Sequence, residues 1–136
     1  MNKKILIYTF GGLILCAVVI MLVLWFQPPQ NAAEQPGIPI TAEALFQAYN
    51  TDEQTANTLY SGKALEVTGT VVNTDINQDG QLVVFLDSGD PLGGIVCTFP
   101  KSPGDISIHQ QITVKGFCAG MLADVMLTDC VYIPAP

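Results

Sequence analysis

The sequence predicts an all-β domain with short N-terminal helices (α+β by count), a five-stranded barrel preceded by a transmembrane helix. Three observations predict it. An uncharged apolar run near the N-terminus is long enough to cross a bilayer, and a proline-rich segment then gives way to residues at helical spacing. From Lys63 onward the hydrophobic period changes to two.

The apolar run is "ILIYTFGGLILCAVVIMLVLWF", residues 5–26, with 22 positions and no charge. As a helix it spans about 33 Å, against a hydrocarbon core of about 30 Å. Residues 1–4 hold Lys3 and Lys4, and the next lysine is Lys63. Positive charge on the N-terminal side alone predicts a cytoplasmic N-terminus and an extracytoplasmic remainder. Trp25 and Phe26 fall where an interfacial aromatic belt would lie. A cleaved signal peptide would have a shorter apolar region and a small-x-small site, which "LWFQPPQ" does not offer. A lipidated cysteine would follow a small residue, whereas Leu15 precedes Cys16 and the apolar run continues past it. The expectation is a retained single-pass anchor, with Cys16 a small apolar residue of the helix.

Beyond residue 27 three lysines face twelve carboxylates, a formal charge of −9, and the chain has no arginine. A phosphate-binding surface needs clustered Lys or Arg to displace counterions. Nucleic acid and anionic headgroups are therefore disfavoured as partners of this part.

Residues 27–40, "QPPQNAAEQPGIPI", read as an extended linker, and residues 41–136 as the folded unit. Its first segment, 41–61, predicts two short helices or one bent one. Thr41 is a candidate N-cap, with Leu45, Phe46 and Tyr49 at helical spacing. Thr51 with Gln54 fits a capping box, and Gly62 is a natural stop. Phe46, Tyr49 and Tyr60 make an aromatic stripe that reads as a packing face. Five strands follow at 64–74, 81–88, 93–99, 110–118 and 124–133, separated by Asp/Gly/Pro clusters. Gly69 and Gly116 inside strands suit the corners of a small, strongly bent barrel. The five-stranded OB barrel meets these requirements.

The run "TAEALFQAYNTDEQTANTLYSGKALEVTGTV", with the later "GDPLGGIVCTF", "ITVKGFCAG" and "DVMLTDC", resembles the tRNA-anti-like family of OB-fold domains. The resemblance covers most of 41–133 and leaves the linker and anchor outside it. It implies a bacterial envelope protein, of a kind frequent in Bacteroidetes and often membrane-anchored or lipidated. It supplies no catalytic residues.

"DINQDG" (75–80) matches the first half of a calcium loop, with Asp75, Asn77 and Asp79 as candidate ligands. The twelfth position is Leu86 rather than Glu, and Asp-Gly between alternating strands is a strong hairpin signal. A turn is the preferred reading, and no metal or cofactor is expected. "DSGDPLGG" (87–94) is loop material that either makes a turn or borders a binding surface. His109, the one histidine, reads as a surface or strand-edge residue. With no Ser/His/Asp order, paired carboxylates or phosphate loop, the expected function is non-catalytic.

Cys97, Cys118 and Cys130 lie beyond the anchor, where disulfides can persist. If 119–124 form the last turn, Cys118 faces Val125 and Cys130 faces Thr113, about 17 Å along the strand. A disulfide tolerates about 7 Å between Cα atoms, so that pair is poor. In an OB barrel the third and fifth strands run parallel as neighbours, which makes Cys97–Cys130 the preferred bridge. Cys97–Cys118 is the runner-up.

The sequence thus predicts a single-pass bacterial membrane protein anchored by 5–26, its acidic OB domain in the periplasm. It would bind a protein or a small or oligomeric ligand at the envelope. The alternatives are a nucleic-acid-binding OB protein and a thiol-redox protein using Cys118.

Overall fold

The computed structural model describes residues 2–26 and 31–135. The chain divides into two compact units, residues 1–30 and 31–136. In the first, helix α1 runs Lys3–Trp25 and buries no side chain. It is long and apolar enough to cross a membrane. The helix takes in both N-terminal lysines and ends one residue short of the expected Phe26.

The second unit begins earlier than the sequence implies. Of the expected linker 27–40, residues 27–30 lie outside the described residues. The rest is largely structured. A 3₁₀ turn at Ala32–Glu34 buries Ala32, and strand β1, Ile38–Thr41, pairs parallel with β2, Ala64–Ile76. Pro39 is tolerated because β1 is an edge strand paired on one side, where a missing N–H costs little. Proline density suggests a linker; it does not exclude an edge strand.

Helices α2 (Ala42–Thr51) and α3 (Glu53–Tyr60) follow. Thr41 caps α2 as expected, accepting from the Ala44 amide at 3.2 Å. The second cap is not the Thr51–Gln54 box. Asp52 caps α3 instead, its carboxylate accepting from the Thr55 amide (3.2 Å) and hydroxyl (2.7 Å). A carboxylate is the better acceptor at a helix N-terminus, where the dipole favours negative charge. The Thr55 contacts hold the Asp52 carboxyl below its usual range. Phe46 and Tyr49 are buried, and Tyr60 packs on the core, so the aromatic stripe is a packing face.

Strands β3 (Leu82–Leu86), β4 (Ile95–Phe99), β5 (Gln111–Met121) and β6 (Val125–Ile133) complete the sheet. Its order is β1-β2-β3-β4-β6-β5, and β5 pairs back onto β2, closing a five-stranded barrel with β1 as an addition. The first half of β2 pairs with β5 and its second half with β3, so β2 must bend. A bulge at Val72 and the close approach at Gly69 make that bend. A Cβ on Gly69 would lie 2.8 Å from that of Ala42 and 3.2 Å from that of Leu86. β4 and β6 run parallel, as the OB arrangement requires.

Period two explains the interior. Val84 and Leu86, Ile95, Cys97 and Phe99, Val114 and Cys118, and Val125 and Leu127 all point inward and are buried. Helix α2 covers this core from one end. Its Phe46 lies against Gly93, and its Tyr49 hydroxyl meets the Cys118 sulfur at 3.2 Å.

Candidate binding face of the barrel

Strand β3 reads "LVVFL", apolar at every position. With Leu82, Val84 and Leu86 packed on the core, Val83 and Phe85 are left on the outer face. A strand apolar on both faces is a sign of something covering both. The register extends this across three strands: Phe85 faces Val96 on β4, and Val96 faces Met126 on β6. Directly opposed residues share a face, so Phe85, Val96 and Met126 form one outward apolar row. The sequence reading missed this row, although the doubly apolar pattern of β3 signals it.

Two loops border the row where β4 and β6 begin. Loop 87–94 is organised around Ser88, the one buried polar side chain of the described residues. Its hydroxyl donates to the Gly93 carbonyl and accepts from the Asp90 amide at 3.2 Å. Asp87 and Asp90 each accept from a backbone amide two residues on, at 2.9 and 2.8 Å. The β5–β6 turn, residues 122–124, is tied to this loop by Asp124, which accepts from the Gly94 amide at 2.7 Å. Each loop holds up a leucine: Leu92 is 84% exposed and Leu122 is 88% exposed. "DSGDPLGG" is therefore a built turn that also borders a surface. Strands β2, β3, β4 and β6 and these two loops contain no Lys or Arg, while Asp75, Asp87, Asp90, Asp124 and Asp129 lie among them.

At the opposite end a cleft of about 570 Å³ opens between the β2–β3 tip and loop 100–110, lined by Ile76, Gln81, Phe99 and Asp105 among others. Phe99 is fully buried, so this cleft presents no aromatic face for stacking.

The β2–β3 tip holds the candidate calcium residues. Asn77 Oδ1 accepts from the amides of Asp79 (3.0 Å) and Gln81 (2.9 Å), and its Nδ2 donates to Gln81 Oε1. Asp75 accepts from the Ile76 amide at 2.8 Å. Asn77 is thus spent on the turn, with Gly80 at φ 77° completing it. Among the described residues no three His, Cys, Asp or Glu side chains gather to hold a metal ion. His109 is exposed, and its amide donates to the Val71 carbonyl at 2.7 Å.

The cysteines need a correction of register. The last turn is 122–124 rather than 119–124, so Cys118 faces Leu127 instead of Val125. Thr113 faces Ile133 instead of Cys130. Two bulges account for this. On β6 Asp129 is an extra residue at φ 51°, and on β5 Gly120, at φ 101°, belongs to a bulge and not to the turn. Cys130 lies beside Gly116, two residues from Cys118 rather than five. All three thiols are buried and free. Cys118 contacts Tyr49 at 3.2 Å. The influence of the Cys130 thiol, followed by burial, pushes the Cys97 thiol well above its usual range. Burial, followed by the Cys118 contact, does the same to the Tyr49 hydroxyl.

A closed barrel with a parallel β4–β6 pair defines an OB-fold protein, and its N-terminal helix is long and apolar enough to cross a membrane. The tRNA_anti-like family model matches residues 1–131, and the chain belongs to that family. The matched span begins at residue 1, so it takes in the apolar helix and the linker as well as the barrel. No curated protein matches the chain. A crystal structure from Klebsiella pneumoniae subsp. pneumoniae, of a protein provisionally described as a nucleic acid-binding lipoprotein, has a similar fold. Its TM-score is 0.58 at 18% identity, covering 74% of this chain and 100% of that one.

Proposed function

We propose that the protein is a non-catalytic binding module of the bacterial envelope. Helix α1 holds it in the membrane, the barrel lies outside the cytoplasm, and the outer face of β3, β4 and β6 receives a partner protein. The observation that carries this is the row Phe85–Val96–Met126, bordered by Leu92 and Leu122, on strands and loops that carry carboxylates and no Lys or Arg of their own. An apolar strip in an acidic setting is complementary to an apolar, cationic protein surface. The lysines at positions 3 and 4 support the orientation.

The test is site-specific photocrosslinking in native membranes. A crosslinker at Leu92 or Leu122 should capture a protein, with the adduct lost in Phe85→Ser. The same crosslinker at Leu59, an exposed residue of α3, should capture nothing. Equal capture at all three positions, or capture indifferent to Phe85→Ser, would sink the proposal.

A second reading, nucleic-acid binding, draws on the description of the Klebsiella protein and on Phe85 as a ring on which a base could stack. The lack of Lys and Arg around that ring opposes it. Binding of a single-stranded oligonucleotide at about 150 mM salt, lost in Phe85→Ser, would put this reading first.

A further inference from the structure

Strands β4 and β6 pair over a short stretch and then fork. Their parallel ladder runs from Ile95, opposite Val125, to Cys97, opposite Leu127, and stops there. Beyond it β6 keeps β5 on one side, with Lys115 opposite Val131 and Val114 opposite Tyr132, and pairs with no strand on the other. An antiparallel ladder uses the N–H and C=O of alternate residues, so the residues between them turn theirs to the open edge. Among the described residues no backbone hydrogen bond reaches 128–133 from a loop. The fork holds a cleft of about 500 Å³, the size of a ligand site, lined by residues 129–132, by loop 100–103 and by the 3₁₀ turn Ala32–Glu34. Strand β1 also has an open edge, but Pro39 blunts it, as prolines do on edge strands. On β6 the Asp129 bulge and Pro134 bound the open stretch, and no proline interrupts it.

We propose that residues 130–133 are a strand-addition site, which takes a short extended segment of a partner protein, apolar at alternate positions and basic between them. The outward N–H and C=O groups of β6 recognise main chain, and only an extended segment matches their spacing. Val131, Tyr132, Pro100 and Ala33 line the cleft and receive the apolar side chains. Glu34 and Asp129 outnumber Lys101 at its rim, and that balance favours basic residues on the side turned away from the barrel. The site uses the edge of β6, whereas the row Phe85–Val96–Met126 uses its outer face, so each stands without the other.

The experiment uses the full chain in zwitterionic detergent micelles, titrated with a hexapeptide of alternating valine and lysine and followed by NMR. The peptide should shift the amide signals of 130–133 and slow their hydrogen exchange. Two further peptides carry N-methyl groups, one on its valine amides and one on its lysine amides. Only one edge of an added strand faces β6, so one of these should bind about tenfold more weakly and the other like the parent peptide. Ser102→Trp, which fills the cleft from an exposed loop position, should abolish binding while the remaining signals keep their places. Phe85→Ser, which spoils the outer row, should leave binding unchanged. Equal binding by all three peptides would overturn the proposal, as would binding that survives Ser102→Trp. So would shifts confined to Phe85, Val96 and Met126, or no binding of the parent peptide.

Discussion

The two long hairpins of the barrel are held in different ways. The β2–β3 hairpin ends in a tip that organises itself: Asn77 binds two amides of its own turn, and Gly80 supplies the left-handed residue. The β5–β6 hairpin has a short turn, two bulges and a register that follows from what its buried side touches. Cys130 packs on Gly116, Cys118 meets Tyr49 of α2, and Asp124 reaches across to loop 87–94. One hairpin is specified by local chemistry and the other by the rest of the barrel. Their sensitivity to mutation should differ accordingly.

The largest difference is expected at the glycines. A Cβ at position 116 would meet Cys130 Sγ at 2.7 Å and the Thr128 carbonyl at 3.0 Å, and that carbonyl belongs to backbone. Gly116→Val should cost about 2–3 kcal/mol through overpacking, measured by chemical denaturation. At the tip of the other hairpin Gly80→Ala meets nothing within 4 Å and should cost about 1 kcal/mol from its φ of 77° alone. Equal costs would erase the distinction between the hairpins.

Alkaline pH should weaken the barrel interior on which the second hairpin packs. The Cys130 thiol and burial raise the Cys97 pKa, and burial and Cys118 raise that of Tyr49. Below the ordinary values of 9.0 and 10.0 both states hold their protons and stability is full. Above 9.0 the unfolded chain ionises first, so stability falls as pH rises towards the folded values. Under reducing conditions the onset of the fall, near pH 9.0, should disappear in Cys97→Ala, followed by chemical denaturation across pH. Tyr49→Phe should flatten the fall above 10.0 and leave its onset unchanged.

The same contrast governs what could be read in the sequence. The Asp-Gly tip of β2–β3 was legible because turn chemistry is local. So was the inward direction of Cys97 and Cys118, which depends only on period two. The register of β5–β6 was not, because each bulge inserts a residue that no pattern of apolar positions announces. The error was an even number of places at Cys118, so its face survived while its partner changed from Val125 to Leu127. Strand β1 was hidden by its proline, and the Asp52 cap by a plausible competitor one residue away. The outer row was half visible: "LVVFL" shows that β3 is apolar on both faces, but only the cross-strand pairing joins Phe85 to Val96 and Met126.

Within the first hairpin, Asn77→Ala removes an acceptor for two amides and should cost about 1–1.5 kcal/mol. Asp75→Ala and Asp79→Ala should stay within about 0.5 kcal/mol of the parent chain. Millimolar calcium should leave the denaturation midpoint of the parent unchanged. A rise with calcium that disappears in all three variants would show that the tip is an ion site whose turn is secondary.

The smallest effect is expected at Asp129, in the bulge of β6. Its φ of 51° is a conformation usually given to glycine, which aspartate tolerates better than most residues. Asp129→Gly relieves that conformation but adds chain entropy to the unfolded state, so the two terms nearly cancel. The variant should remain within about 0.5 kcal/mol of the parent. Asp129→Val, which keeps a Cβ and adds a branch, should cost about 1–2 kcal/mol. That order identifies backbone shape as what the bulge needs from position 129. If Asp129→Gly and Asp129→Val cost the same, the carboxylate itself is what holds Cys130 against Gly116, and the second hairpin is less dependent on packing than the glycine comparison implies.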